Sequence, residues 1–282
     1  MNIRVTESPS HYRNLEQQDI DTLISWINQE DQKVALKIKE ALPQLSKLIG
    51  VIVEKLKTGG RLFYVGAGSG GRLSVLDVIE LPNTFGIPKG KVNVILAGGV
   101  EHLVEAKEER EDDTKEGWAN LREAGISPAD VVVGIAASGT TPFVLEALKA
   151  CRNHGITTGC IVSNPESPIA EQADYPVEVV TGPEFITGST RMKSGSAQKM
   201  IFDMISTTTM ICLGRVEDNS MVNMALINDK AVDRAVRMLI DKSNIADYGE
   251  AKRILLQNGS VRKALDALAS SETSSVDFTP EL

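Results

Sequence analysis

Short apolar runs at Arg61-Leu62-Phe63-Tyr64-Val65, Val92-Asn93-Val94-Ile95-Leu96, Val131-Val132-Val133-Gly134-Ile135, Thr158-Gly159-Cys160-Ile161-Val162 and Val177-Glu178-Val179-Val180 set the frame of this chain. Their length and β-branched content predict buried strands. Helical segments separate most of them, so the pattern predicts an α/β fold: a parallel five-stranded sheet covered by helices on both faces. Ahead of the first strand, Ile24, Ile27, Val34, Ile38, Leu42, Leu45, Leu48 and Ile52 recur at helical spacing over residues 20–57, with a break expected near Pro43. Beyond the last strand, Met200, Ile201, Met204, Ile205 and Ile211 predict a long buried helix within 197–213. Short helical stretches follow from Asn228, and the Ser, Thr and acid-rich tail 270–282 carries too little apolar surface to order itself. The expected divisions are a helical lead-in (1–51), a sheet domain (52–215) and a C-terminal helical module with its tail (216–282).

Three glycine-and-hydroxyl segments interrupt this pattern where apolar runs end: Gly66-Ala67-Gly68-Ser69-Gly70-Gly71-Arg72, Ala137-Ser138-Gly139-Thr140-Thr141-Pro142 and Thr187-Gly188-Ser189-Thr190-Arg191-Met192-Lys193-Ser194-Gly195. Glycine lets backbone N–H groups approach an oxyanion, hydroxyls add donors, and a following helix turns its positive end to the ligand. Two of the segments fall at the carboxyl ends of strands, where open α/β sheets bind ligands. The three read as one anion cradle for a phosphorylated small molecule, with Ser69, Gly70, Arg72, Ser138, Gly139, Thr140, Thr141, Ser189, Thr190 and Lys193 as candidate contacts. Alone, the first segment resembles a dinucleotide loop, but the second strand ends Leu96-Ala97-Gly98-Gly99 without the acidic partner a ribose needs. The second also reads as a cap for a helix beginning at Pro142, which uses the same N–H groups.

Composition narrows the ligand further. A net charge of −8 over 282 residues argues against polyanion binding, so no nucleic acid partner is expected. The N-terminus lacks an apolar signal core and no stretch approaches the roughly 20 apolar residues of a membrane span, so a cytoplasmic protein without a membrane partner is expected. Cys151, Cys160 and Cys212 lie in apolar contexts without CxxC spacing and read as reduced, buried thiols. His11, His102 and His154 are too scattered for a metal centre. Chemistry then rests on carboxylates, hydroxyls or lysines. Glu80 closes the apolar stretch from Leu73 to Ile79 at an expected helix end, where the macrodipole disfavours an anion, a setting that suits a general acid. Glu108 and Glu111, three apart in a charged stretch, share one helical face, and either can reach a pocket above the sheet.

The three segments, together with Ile27-Asn28-Gln29-Glu30-Asp31, Leu96-Ala97-Gly98-Gly99 and Gly259-Ser260-Val261-Arg262-Lys263-Ala264-Leu265, resemble the N-acetylmuramic acid 6-phosphate etherases, which are built on a sugar isomerase (SIS) domain. The resemblance covers nearly the whole chain and makes 52–215 a SIS sugar-phosphate-binding domain. The Thr187–Gly195 segment is its most specific part, shared with the glucokinase regulatory protein, a longer chain with two such domains. The resemblance implies a homodimer without metal, nucleotide or other cofactor. It also implies elimination and hydration of the D-lactyl ether, a step in cell-wall recycling and amino sugar catabolism. By the family's motifs, Glu80 matches the proton donor and Glu111 the second catalytic acid/base, and Glu108 contacts sugar hydroxyls. Ser69, Ser138, Thr140, Thr141, Ser189 and Thr190 hold phosphate and sugar, and Lys193 adds charge. The family's first loop carries a serine where this chain has Gly70, so Gly70→Ser is expected to tighten binding. Its Glu-Cys-Pro-Pro-Thr is here Glu80-Leu81-Pro82-Asn83-Thr84. The competing readings are a non-catalytic sugar-phosphate sensor and a sugar-phosphate isomerase; only the etherase releases lactate.

Overall fold

The computed structural model describes residues 4–105 and 107–276. An N-terminal arm with short 3-10 turns at Val5–Glu7 and Leu15–Gln17 leads into helix α1 (Ile20–Lys57). Asp19 caps α1 by accepting the Thr22 N–H at 2.7 Å. The helix does not break at Pro43. Val34, Ile38 and Ala41 before the proline and Leu45, Leu48 and Ile52 after it are all buried. Burying that stripe outweighs the roughly 3 kcal/mol that an interior proline costs.

The sheet follows as β1 (Leu62–Gly66), α2 (Gly68–Phe85), β2 (Val92–Leu96), α3 (Glu116–Glu123), β3 (Val131–Ala136), α4 (Pro142–Asn153), β4 (Thr157–Val162), α5 (Pro168–Glu171) and β5 (Tyr175–Glu178). All five strands are parallel, in the order β2-β1-β3-β4-β5. The edge strand β5 starts two residues earlier than its apolar run because Tyr175 pairs with Gly159 and Val177 with Ile161. Gly66 lies opposite both Leu96 and Ile135, which aligns the carboxyl ends of the three strands. The chain steps outward from β1 to β2 and crosses back to β3, so the crevice of an open α/β sheet falls beside β1 and β3.

Alternation along the strands gives each face its own cover. Phe63, Val65, Val132, Cys160 and Val162 pack with Leu121 of α3 and Phe143, Val144, Leu148 and Cys151 of α4. On the opposite face Tyr64 meets Phe202 of α6 (Lys193–Cys212) edge-on, with centroids 5.2 Å apart. Beside them Asp77 of α2 is buried; its Oδ1 accepts from Ser206 Oγ at 2.8 Å, while Oδ2 and the Tyr64 hydroxyl have no protein partner. Burial pushes the Asp77 carboxyl up to about 6. The folded protein therefore binds this proton more tightly than the unfolded chain, and stability falls as pH rises from about 4 to about 6. Asp77→Asn is expected to stabilise the protein by about 1–3 kcal/mol above pH 6 and by almost nothing below pH 4. Urea melts at pH 4 and pH 7.5 check this; a gain independent of pH would refute it.

The chain divides into two compact units, Met1–Val78 with Gly90–Thr209, and Ile79–Lys89 with Met210–Leu282. In the second, helices α7 (Asp229–Lys242), α8 (Tyr248–Asn258) and α9 (Val261–Val276) enclose Val222, Ala235, Leu239, Ala251, Leu255 and Ala264. Asn228 caps α7 and Asp247 caps α8, and Gly259 ends α8 in the left-handed region at φ 77°. Residues 79–89, expected with the sheet, join this unit: Ala225 N–H donates to the Asn83 carbonyl at 2.9 Å and Arg215 to that of Gly86 at 3.0 Å. Helix α9 carries through Val276, so the expected unstructured tail is helical over its first part; residues 277–282 lie outside the described residues. Among the described residues no helix is long and apolar enough to cross a membrane.

Candidate functional site

The three glycine-and-hydroxyl segments all lie in the first unit, and Gly70 of the first packs against residues that flank the other two. The first of them is hardly a loop: Ala67 alone separates β1 from α2, so Ser69, Gly70 and Arg72 stand in the opening turns of the helix. The N–H groups of Gly68, Ser69 and Gly70 have no acceptor four residues back within the helix and point to its open end. A Cβ on Gly70 would lie 2.9 Å from Ile135 Cγ2, just before the second segment, and 2.9 Å from Gln198 Oε1, on the helix that follows the third. That contact reverses the expectation for Gly70→Ser. The new side chain would press on a buried isoleucine, so the variant is expected to lose about 1–3 kcal/mol of stability and gain no affinity. Thermal denaturation and a sugar-phosphate titration of the variant check both points.

In the second segment the hydroxyls bond to one another rather than to the helix. Thr141, the residue before α4, makes no side-chain cap; Ser138 Oγ lies 3.3 Å from Thr140 Oγ1 and 3.4 Å from Thr141 Oγ1. Gly139, at φ 71°, turns the chain between them. Ser138 and Thr140 line a cleft of about 370 Å³ with Arg4, Asn164 and Ser167. Arg4 is brought there by the arm. Thr6 donates its N–H to Asn164 Oδ1 at 3.2 Å, and Asn164 Nδ2 donates to Thr6 Oγ1 at 2.9 Å and to the carbonyls of Ala137 and Ser138 at 3.1 Å. Further on, Ser10 donates to the Phe185 carbonyl and to Thr187 Oγ1. One buried asparagine thus ties the arm to the hydroxyl segment, and one serine ties it to the third segment. No local sequence signal marks Arg4, because the bonds that bring the arm there run from Thr6 and Ser10 to residues more than a hundred positions away.

The third segment offers less than expected. Ser189 and Thr190 sit half-buried in the turn before α6. The first donors of that helix are already taken: Glu184 accepts the N–H groups of Lys193 at 2.9 Å and Ser194 at 3.0 Å. Lys193 is not placed to lend charge to a ligand. Its side chain is 2% exposed and its ammonium lies 2.6 Å from Glu30 Oε2. Glu30 also accepts from Lys33 and from the Tyr12 hydroxyl. Burial pushes the Glu30 carboxyl upward, but the bonds from Lys193, Lys33 and Tyr12 prevail and hold it at about 2.

The carboxylates of the charged stretch come to the cradle by a different local structure than the sequence pattern implied. Residues Glu108–Asp112 form a 3-10 helix, in which side chains three apart stand in line. Glu111 lies over the start of α2: a Cβ on Gly68, whose φ is 54°, would fall 2.7 Å from Glu111 Oε1. Glu108 is held by the Arg72 guanidinium, which lowers its carboxyl. Burial, then the bond to ionised Glu108, pushes Glu111 up to about 7. The arrangement is a carboxyl pair in which the outer member keeps its charge on an arginine and the inner member exchanges its proton near neutrality. Arg72, expected at the ligand, serves Glu108 here.

Glu80 belongs to the second unit. It is exposed, and it stands inside α2 rather than at its end, because the helix continues through Pro82 to Phe85. Cys151 and Cys160 are buried and their thiols pushed up to about 12, which disqualifies them as nucleophiles; Cys212, expected to be buried, is exposed. No group of three or more His, Cys, Asp or Glu side chains among the described residues is arranged to hold a metal ion.

Residues 44–152 match the glucokinase regulatory protein N-terminal SIS domain, and residues 121–208 the SIS domain. The chain is 52% identical over 265 residues to the N-acetylmuramic acid 6-phosphate etherase of Bacteroides fragilis, with 94% of each chain covered. It is 50% identical to that of Porphyromonas gingivalis over 94% of this chain and 96% of the relative. Among solved structures, a phosphoheptose isomerase from Francisella tularensis shares the fold with a TM-score of 0.52 at 15% identity, covering 71% of this chain and 100% of that one. The c3406 protein of E. coli CFT073 matches with a TM-score of 0.52 at 16% identity, over 71% of this chain and 96% of that one.

Proposed function

The chain belongs to the N-acetylmuramic acid 6-phosphate etherase family, and on that premise we propose that it converts N-acetylmuramic acid 6-phosphate and water to N-acetylglucosamine 6-phosphate and D-lactate. The observation that carries the proposal is Glu111: a carboxyl over the N-terminus of α2, with its proton held to about pH 7, can both take and return a proton at neutrality.

In the ring-opened sugar the C2 proton is acidic because the electrons it leaves delocalise into the C1 aldehyde. Glu111 takes that proton, the C3–O bond breaks with its electron pair going to the lactyl oxygen, and a general acid, the part that the resemblance assigns to Glu80, supplies the proton that completes lactate. Water then adds across the unsaturated aldehyde, its oxygen to C3, and a proton returns to C2. Each carboxyl reverses its role in the second half, so none of these steps calls for a cofactor. The phosphate sits with Ser69, Ser138, Gly139, Thr140 and Thr141, and Ser189, Thr190 and Glu108 meet the sugar. Arg4 provides the positive charge that Lys193 cannot, since it lines the same cleft as Ser138 and Thr140. Part of this reading is an active homodimer in the cytoplasm that returns cell-wall amino sugar to metabolism.

The test is incubation of the purified protein with N-acetylmuramic acid 6-phosphate in EDTA, following D-lactate with a coupled assay. Release of lactate and N-acetylglucosamine 6-phosphate in equal amounts is expected. Binding without lactate release would favour a sugar-phosphate sensor, and a phosphorylated ketose as product would favour an isomerase.

A further inference from the structure

Gly98 and Gly99, within three residues of the end of β2, both stand in the left-handed region, at φ 79° and 89°. A Cβ on Gly98 would lie 3.0 Å from Lys107 Cβ, and one on Gly99 would lie 2.2 Å from Glu101 Oε1. Two bare glycines therefore let the chain fold back on the strand end, through a 3-10 turn at Val100–His102, before it reaches Glu108 and Glu111. The turn sets the His102 imidazole on the Gly98 carbonyl: Nδ1 lies 2.8 Å from that oxygen and 3.4 Å from Glu101 Oε1. A carbonyl only accepts, so Nδ1 carries the hydrogen, and in the neutral ring Nε2 is left with a lone pair. Among the described residues Nε2 makes no hydrogen bond. His102 and Glu111 line one small cavity beside Gly68, at the start of α2. Its volume of about 10 Å³ is at the lower limit for a single water. Its walls also hold Glu108, Arg72 and Lys107, which with Glu101 are the charged groups around the ring.

In the etherase reaction Glu111 holds a proton between elimination and hydration. It is half-buried, whereas the His102 side chain is 32% exposed, so the ring stands between the cavity and solvent. We propose that one water in this cavity joins Glu111 to His102, and that through it His102 exchanges the proton taken from C2 with solvent before one is returned. The assignment rests on the etherase reading and adds to it a route for that proton. Outward, the Glu111 O–H gives its proton to the water while the water gives one of its own to the Nε2 lone pair. Glu111 is left as a carboxylate, the water is restored, and the ring becomes an imidazolium whose charge the Gly98 carbonyl and the Glu101 carboxylate offset. Nε2 then releases its proton to bulk water. The same steps in reverse load Glu111 with a solvent proton for C2. His102 touches no reacting atom in this scheme and acts only through Glu111.

An isotopic readout separates this role from a structural one. The wild type, given N-acetylmuramic acid 6-phosphate with protium at C2 in deuterium oxide, is expected to make N-acetylglucosamine 6-phosphate that carries deuterium at C2. In His102→Leu, Glu111 keeps the proton it took, so the share of product with protium at C2 should rise severalfold, measured by mass spectrometry. In His102→Ala, added imidazole should bring the deuterium back, which a ring that merely supported the loop would not do. The melting temperatures of both variants serve as the folding control. Equal deuterium in the wild type and His102→Leu would overturn the proposal. So would protium at C2 in the wild-type product, or a label in His102→Ala that imidazole leaves unmoved. A wild-type protein that releases no lactate would instead refute the function on which the proposal rests.

Discussion

Replacing Glu111 by glutamine should cut turnover of N-acetylmuramic acid 6-phosphate by roughly a hundred- to ten-thousandfold while the protein folds as before, because the amide keeps the shape and cannot exchange a proton. The expected pH behaviour is more specific. As the base of the elimination Glu111 must be ionised, so kcat/KM of the wild type should rise with pH and level off above about 7, the value to which burial and ionised Glu108 bring it. That limb should vanish in Glu111→Gln. In Glu108→Gln the limb should move to lower pH, since the charge that holds the proton on Glu111 is gone. Lactate release across pH 5–9 for the three proteins decides the matter; a wild-type limb unmoved by the change at Glu108 would detach the profile from this pair.

The second large effect is on stability. Lys193→Met leaves Glu30 buried without its closest counter-charge, which costs about 3–5 kcal/mol in comparable cases. The sign follows from Glu30: its carboxyl is held at about 2, below the unfolded value, so its contribution is complete above about pH 4.5 and is lost as pH falls toward 2. The deficit of Lys193→Met should therefore be full at pH 7 and shrink in acid. Chemical denaturation at pH 7 and pH 3 measures it, and pairing the change with Glu30→Gln should recover part of the loss. A deficit equal at both pH values would mean that lost packing, not the ion pair, was responsible.

Much of this was legible in the residues. The parallel sheet followed from five apolar runs separated by helical stretches, and the hydroxyl segments fell where a sheet of this order binds ligands. What escaped was whatever depends on partners far along the chain. A buried lysine and a ligand-binding lysine look alike in sequence, and only Glu30, 163 residues away, tells them apart. The proline in α1 looked like a break because the cost of a missing N–H is local, while the burial that offsets it is spread over the whole helix. Glu80 was misplaced for the same reason: Pro82 suggested a helix end, yet α2 continues to Phe85. Glu108 and Glu111 share a face by their spacing of three, but the resemblance, not the spacing, singled them out, and the 3-10 geometry that aligns them was not foreseen.

The arm has a consequence for synthesis. Residues 4–10 precede the sheet in the chain, yet the groups that fasten them arrive late in synthesis: Asn164 is 158 residues downstream of Thr6, and Thr187 is 177 downstream of Ser10. Until those residues have emerged, the arm has nothing to bind, and Arg4 stays apart from the hydroxyls with which it lines a cleft. Closing so long a separation is among the slowest kinds of event in folding. Assembly of the cleft lined by Arg4, Ser138 and Thr140 is thus deferred until most of the first unit has been made, and a nascent chain halted short of Asn164 would carry at most strands β1 to β4, without that cleft.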